Sequence, residues 1–525
     1  MRFLPLLAGL LAGTGLWAGV AEAKAAGPVV ETQTGAVEGV EEKGLSVFRA
    51  IPFAAPPVGA LRWRPPQDMT RWQGVRSAKA FGSPCMQEMA PALQALGETP
   101  SEDCLTLNIW TPRQPGEEGS RLPVLVWIHG GAFRGGTAAD PRIAGDLLAR
   151  RGIIVVTVQY RLGVFGFLSH PQLSAEEGGA SGNYGLMDQI AALRWVQDNI
   201  AAFGGDPGKV TVGGLSAGAI SAAILAAAPQ ARGLFRGLIS MSGGSFAPPR
   251  SPAEAGENME PLTRSEHNGE RFAAALGMRD IAVLRAAPPE RLLSVDRNGV
   301  SWPVVDGKII RDDEYRLFTQ GRIADVPLLL GSTSGEGYVF SRIRSLADYR
   351  AEVVRRYGNF APEILRGYPA ASDEEAVRQA RALTRDVMFG WGTWAWANLQ
   401  KRYGSAPVHV YYFDHLAPQS PPDAGAVHGS DQPYPFGIAH QDRPWTPIDY
   451  RLSDAMLGYF ANFVRNGDPN GANLPDWPAF SHEEQQALHI TDDLAVGPVA
   501  NRPEIELIDR YMAIRRKDGG LGAPR

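Results

Sequence analysis

A chain of 525 residues, 44% hydrophobic and 20% charged, has the make-up of a soluble globular protein with room for a large core. Its formal net charge of −5 leaves no electrostatic footprint for nucleic acid, and the absence of any repeat period excludes a solenoid or propeller.

The chain opens with Arg2 and the apolar stretch Phe3 to Val20, followed by the small-x-small pattern Ala21-Glu22-Ala23. This reads as a secretory signal peptide cut after Ala23, which leaves residues 24–525 as one domain, periplasmic or secreted, with no stable membrane anchor. The only two cysteines are Cys85 and Cys104; in an exported chain an even pair reads as one disulfide. No histidine sits between or beside them, so the pair does not suggest a metal site.

Beyond this point apolar runs of strand length alternate with helix-like segments. The strand candidates are Pro123 to Ile128, Ile153 to Tyr160, Val210 to Val212, Gly237 to Met241, Val326 to Leu330 and Val408 to Phe413. Between the second and third lies a helical pattern, Asp188 to Asn199, with Ile190, Leu193, Trp195 and Val196 on one face and Asp188 in the first turn. This is the β-α-β rhythm of an α/β fold with a mostly parallel, doubly wound sheet. In such sheets functional residues collect beyond the carboxyl ends of the strands, and that rule directs the search for a site.

The run Val210-Thr211-Val212 leads into Gly214-Leu215-Ser216-Ala217-Gly218, and a small-residue helix pattern follows from Ala219 to Ala228. A serine on so sharp a strand-to-helix turn needs slim neighbours two residues away on either side, and glycine supplies them. With 60 glycines in the chain, chance matches to this pattern are common, so context has to decide. Just after the first strand candidate comes His129-Gly130-Gly131-Ala132-Phe133, where small residues let amide N–H groups face a ligand. The amides of Gly131 and Ala132, with that of Ala217, are candidate oxyanion donors. After Val326 to Leu330, the loop Gly331 to Gly337 holds one carboxylate, Glu336; Asp306 is the rival, placed ahead of its strand. Among 9 histidines, His428 lies on a glycine-flanked loop beyond Val408 to Phe413, with His440 a distant second. His409 falls within a strand, and His129 and His170 precede the serine. The resulting order of serine, acid and histidine is that of α/β-hydrolases.

With these motifs the chain resembles the type-B carboxylesterase family, which includes cholinesterases and bacterial para-nitrobenzyl esterases. The stretches that carry the resemblance include Phe48-Arg49-Ala50-Ile51-Pro52-Phe53, Glu102-Asp103-Cys104-Leu105, Gly182-Asn183-Tyr184-Gly185, Phe203-Gly204-Gly205-Asp206-Pro207 and Asn466-Gly467-Asp468-Pro469. The resemblance spans roughly residues 28 to 510. It implies an α/β-hydrolase fold with helical insertions around an active-site gorge, and places the family's nucleophile on Ser216, its acid on Glu336, its histidine on His428, its oxyanion donors on Gly131, Ala132 and Ala217, and its first disulfide on Cys85 and Cys104. Three positions depart from the pattern: Leu215 stands where glutamate is usual, Gly335 where aspartate is common, and Ala132 where a third glycine is expected.

The implied activity is hydrolysis of small-molecule carboxylic esters through an acyl-enzyme on Ser216, without cofactor or metal. Trp391, Trp394 and Trp396 are candidates for a gorge lining, with core packing favoured, and Arg134 for contact with an anionic acyl group, with a solvated side chain favoured. The segment from Ala247 to Ile281 is a candidate rim. Two other classes compete: a silent cholinesterase-like binding module, disfavoured because serine, acid and histidine are all present, and an acyltransferase or lyase on the same fold, which product analysis separates.

Overall fold

The computed structural model describes residues 27–517 except 89–93, 95–96, 118, 245, 250–258, 296–298 and 439–441. The signal-peptide reading and His440 both fall outside the described residues.

Long Val- and Ile-rich runs form the centre of an eleven-stranded sheet. Its strands in chain order are β1 (Val40–Glu42), β2 (Leu45–Pro52), β3 (Thr106–Thr111), β4 (Leu122–Ile128), β5 (Ile154–Val158) and β6 (Gly205–Leu215). They continue with β7 (Gly237–Met241), β8 (Leu328–Thr333), β9 (Val408–Phe413), β10 (Gln486–Ile490) and β11 (Leu494–Pro498). The spatial order is β11-β10-β9-β8-β7-β6-β4-β5-β3-β2-β1. Pairing is parallel from β5 across to β10 and antiparallel at both ends. A separate small sheet joins Val29–Thr32, Gly35–Glu38 and Val75–Ser77.

The central strands are buried on both faces, as parallel strands covered by helices must be: β5 and β7 carry no exposed residue. One face packs against α1 (Tyr184–Asn199) and α2 (Ala217–Ala227), with Leu193, Val196, Ile224 and Leu225 meeting Val124, Val126, Val210 and Val212 in one core. The other face packs against α3 (Pro447–Asn466), whose Met456, Phe460 and Phe463 meet Leu125, Trp127 and Ile239. The α1 helix begins a turn earlier than its polar pattern suggests. Asn183 takes a left-handed φ of 30° ahead of it, and Asp188 is wholly buried, receiving two guanidinium hydrogen bonds from Arg161 at 2.7 and 2.8 Å. Asp188 is thus a core ion-pair partner rather than a charge at a helix start.

Cys85 and Cys104 form a disulfide. Beside it Arg62 grips Glu102 with two hydrogen bonds of 2.6 and 2.5 Å, so covalent and ionic ties hold the same segment. Among the described residues no helix is long and apolar enough to cross a membrane.

Candidate active site

The turn that bears Ser216 is as tight as its sequence demands. Strand β6 ends at Leu215, Ser216 takes φ 56° and ψ −120°, and α2 starts at Ala217. A side chain in that region costs of order 1–3 kcal/mol, a strain that persists only where the surroundings enforce it. Here Ser216 donates its amide to the Met241 carbonyl at 2.9 Å, and its own carbonyl accepts from Ile220 at 2.8 Å. The two glycines are required by contact: a Cβ on Gly214 would lie 2.4 Å from Gly218 C, and one on Gly218 would lie 2.0 Å from the Ile128 carbonyl oxygen.

The loop after β4 folds over this turn. A Cβ on Gly130 would sit 3.3 Å from Ser216 Cβ, so the two segments touch. The Gly131 carbonyl accepts from the amides of Arg134 and Gly135, both at 3.0 Å, which curls the loop. Gly131, Ala132 and Phe133 all have positive φ, at 114°, 53° and 56°. Consecutive residues in this conformation turn amides toward one side, and those of Gly131, Ala132 and Ala217 are not spent on turn or loop hydrogen bonds among the described residues. His129, just before, is buried, stacked on Tyr160 at 4.6 Å, and pushed down to about 4 by that burial. It stays neutral near pH 7 and serves the loop's packing.

Glu336 and His428 come together across the ends of β8 and β9. His428 Nδ1 lies 2.5 Å from Glu336 Oε2, and Glu336 is wholly buried. Its other oxygen accepts from Ser242 Oγ at 2.5 Å and from the Thr333 amide at 3.0 Å. A second tie joins the two loops: Gly335 N donates to Ala426 O at 2.8 Å, and Ala426 N donates to Ser334 Oγ at 2.9 Å. The His428 loop reaches the serine turn through Gly429, where a Cβ would stand 3.1 Å from Leu215 Cδ2. Burial alone would lower the basicity of His428. The Glu336 carboxylate and, beyond it, Asp431 outweigh this and raise it above an ordinary histidine.

Four residues of this site escaped the sequence. Ser242 follows β7 at its carboxyl end, where the strand-end rule applies, and takes φ 53°. Asp431 is wholly buried; its Oδ2 accepts from the Tyr411 hydroxyl at 2.6 Å, and Oδ1 has no partner among the described residues. Burial, reinforced by the charge of Glu336, pushes Asp431 up to about 6. Phe389 stacks on the His428 ring at 4.6 Å and 25°, and Phe340 meets it edge-on at 5.1 Å and 71°. Phe389 sits on a π-helical turn, Asp386–Gly390, fixed by Arg385 at 2.8 Å and the Tyr368 hydroxyl at 3.0 Å from Asp386. No short-range sequence pattern marks Asp431 or the two phenylalanines.

Asp431 makes the site sensitive to pH in two ways. Its acidity is weaker in the folded chain, so its contribution to stability is fullest below the unfolded carboxylate range and is lost as pH rises through about 6. The variant Asp431→Asn is expected to gain in Tm relative to the wild type as pH goes from 4 to 8, read by calorimetry. Loss of a negative charge near His428 is also expected to move the acid limb of kcat/KM to lower pH, by a fraction of a pH unit.

The other candidates lie elsewhere. Asp306 follows a two-residue strand, Val304–Val305, and its Oδ1 accepts the amides of Lys308, Ile309 and Ile310 at 3.0, 2.9 and 2.9 Å, a turn-closing role. Trp391 and Trp396 are buried in the core, and the Trp394 indole donates to Gln485 at 2.9 Å. His409 is buried within β9, and His170 caps a short helix, accepting from the Gln172 amide. The candidate rim includes a helix, Leu262–Ala275. Among the described residues no three His, Cys, Asp or Glu side chains are grouped to hold a metal ion.

Residues 26–507 match the model of the carboxylesterase family. The fumonisin B1 esterase of Sphingopyxis macrogoltabida is 35% identical over 481 residues, covering 86% of this chain and 84% of the relative. The para-nitrobenzyl esterase of Bacillus subtilis is 34% identical over 496 residues, covering 91% and 97%, and the phenmedipham hydrolase of Pseudarthrobacter oxydans 35% over 508 residues, covering 89% and 95%. A solved PNB esterase structure superposes with a TM-score of 0.78 at 32% identity, covering 92% of this chain and 99% of its own, which makes the sheet and its helices an α/β-hydrolase fold. With the family model running through nearly the whole described chain and full-length esterases matching it, the protein belongs to the carboxylesterase family and is a carboxylic ester hydrolase.

Proposed function

We propose that the protein is an exported serine carboxylesterase that works through an acyl-enzyme on Ser216. The observation that carries this reading is the 2.5 Å pair of Glu336 and His428 set beside the strained Ser216 turn. With Nδ1 engaged by Glu336, the other ring nitrogen of His428 is the one left to act as base. His428 Nε2 takes the hydroxyl proton as Ser216 Oγ attacks the ester carbonyl carbon. The oxyanion is held by the amides of Gly131, Ala132 and Ala217, and collapse expels the alkoxide, which leaves as the alcohol with the proton from His428. Water, deprotonated by the same imidazole, then splits the acyl ester to free acid.

Phe340 and Phe389 flank the imidazole that protonates the leaving group, so the alcohol departs past an apolar wall. This favours esters of aryl or other apolar alcohols, a class into which a para-nitrobenzyl ester falls. The disulfide supports an oxidising compartment, with residues 1–23 removed on export.

The test combines para-nitrophenyl ester hydrolysis, with acid and alcohol both quantified, and labelling by an aryl phosphonate followed by intact-mass and peptide analysis. Equal release of both products, one adduct per chain on Ser216 and a mature N-terminus at Lys24 are expected. Alcohol release with the acyl group found on a second acceptor would instead indicate acyl transfer. Absence of both turnover and labelling in the folded protein would leave a binding module.

A further inference from the structure

His428 stands on a long excursion from the sheet, between the end of β9 at Phe413 and α3. Glu336 and the ties to Ser334 and Gly335 hold the front of this loop. The loop's two feet are held from behind, by one carboxylate. Asp449 lies in the first turn of α3 and is wholly buried. Its Oδ1 receives His415 Nε2 at 2.9 Å from the upstream foot, just past β9, and the Tyr434 hydroxyl at 2.8 Å from the downstream foot, in the short helix Pro433–Phe436 that follows His428. Its Oδ2 receives the amide and hydroxyl of Thr446 at 2.8 and 2.6 Å.

Every acceptor direction of the carboxylate is thus filled. Burial works to raise the pKa of Asp449, but these donors outweigh it and hold the group below the usual carboxylate range. Two further contacts stiffen the arrangement. Ser453 Oγ, one turn along α3, donates to the Tyr434 carbonyl at 2.9 Å, and His415 Nδ1 lies 2.7 Å from Asp492 at the turn between β10 and β11. Because α3 is packed on the sheet through Met456, Phe460 and Phe463, Asp449 is a fixed point and the loop is what it fixes.

We propose that Asp449, through His415 and Tyr434, is a positioning residue for His428: it clasps both feet of the loop and sets the height of the imidazole against Ser216. The inference rests on His428 acting as the base. A carboxylate serving only the N-terminus of α3 would need only the Thr446 bonds, whereas here half of its acceptor capacity goes to the two ends of the catalytic-histidine loop. Displacements of about 1 Å far from the reacting atoms cost up to about a hundredfold in rate, so the clasp is expected to act on kcat rather than on substrate binding.

The test uses the full chain with Tyr434→Phe, which removes one buried oxygen from the downstream foot, and Asp449→Asn, which weakens both. Turnover is measured per active site titrated with the phosphonate. The low-field proton resonance of His428 Nδ1, assigned by its loss in Glu336→Gln, is followed by NMR. For Tyr434→Phe, kcat is expected to fall about tenfold with KM within about twofold, and the resonance to shift or broaden; Asp449→Asn is expected to fall by about a hundredfold. Should Asp449→Asn fail to fold, Tyr434→Phe decides alone. Full kcat per titrated site and an unmoved resonance in folded Tyr434→Phe, whatever its Tm, would overturn the proposal and leave Asp449 a helix cap. If the wild type neither turns over esters nor takes the label, the esterase reading has failed, and the resonance still reports whether the clasp sets the imidazole.

Discussion

Ser216→Ala is expected to lower ester turnover on the order of 10⁶-fold while leaving the melting temperature within a few degrees. The hydroxyl oxygen is the only non-hydrogen atom lost. The turn that presents it is enforced from outside by the close approach of Gly218 to Ile128 and by the hydrogen bond to Met241, and neither involves the side chain. An alanine at φ 56° is no more strained than a serine, so the fold has no reason to change. Oxyanion donors and the substrate contacts remain, and residual rate above the uncatalysed reaction is the signature of what they contribute. Initial rates on a para-nitrophenyl ester, with a protease-free preparation of equal far-UV dichroism, check this. Retention of more than a hundredth of the wild-type rate would move the nucleophile elsewhere.

Glu336→Gln is the sharper test of the arrangement, because it keeps size and shape. The carboxylate accepts three hydrogen bonds, from Ser242, Thr333 and His428. An amide fills the same space with one acceptor and one donor. If its oxygen stays with Ser242 and Thr333, its NH₂ faces His428 Nδ1, which must then accept and so carry its proton on Nε2. That tautomer cannot take the serine proton, and kcat is expected to fall on the order of 10⁴-fold with little change in KM. The missing charge also removes the chief influence raising the basicity of His428, so the acid limb of any remaining activity is expected to move to lower pH. A loss of under tenfold would show that another carboxylate, Asp431 being the nearest by electrostatics, orients the imidazole.

Much of this arrangement was legible because parallel strands buried on both faces write themselves as apolar runs. Gly237–Met241 and Val408–Phe413 occur at the bounds read from sequence, and Leu122–Ile128 differs by one residue. Strand β6 is longer than Val210 to Val212 because its early residues, Gly205 among them, pair with β4 despite their poor strand propensity; tertiary pairing overrides the local preference. The edge strands β1 and β11, and β10 next to the latter, were silent, since exposed or half-exposed residues such as Glu41, Val496 and Gln486 interrupt any continuous apolar signal.

Within the candidate site, Ser216, Glu336 and His428 are legible as candidates because each follows a strand and each stands out among small neighbours. Asp431, Phe340 and Phe389 could not, because their partners are distant in sequence: Tyr411 reaches Asp431 from inside β9, and Phe389 faces His428 from a π-helical turn. Asp449 belongs with them. In the sequence it is an acidic residue opening a helix after Thr446, and the capping box accounts for it fully until the positions of His415 and Tyr434 are known.

The order of the sheet also has a bearing on how the chain acquires its shape. Ser216, Ser242, Glu336 and His428 are delivered by β6, β7, β8 and β9, four strands that lie side by side. Each pairing in that series is parallel, so each requires the whole crossover between its strands to collapse before a single ladder bond can form. High sequence separation of this kind slows folding. A chain whose first half alone has condensed holds the Ser216 turn without Glu336 or His428, so the candidate site is complete only once β8, β9 and the loops beyond them have joined the sheet.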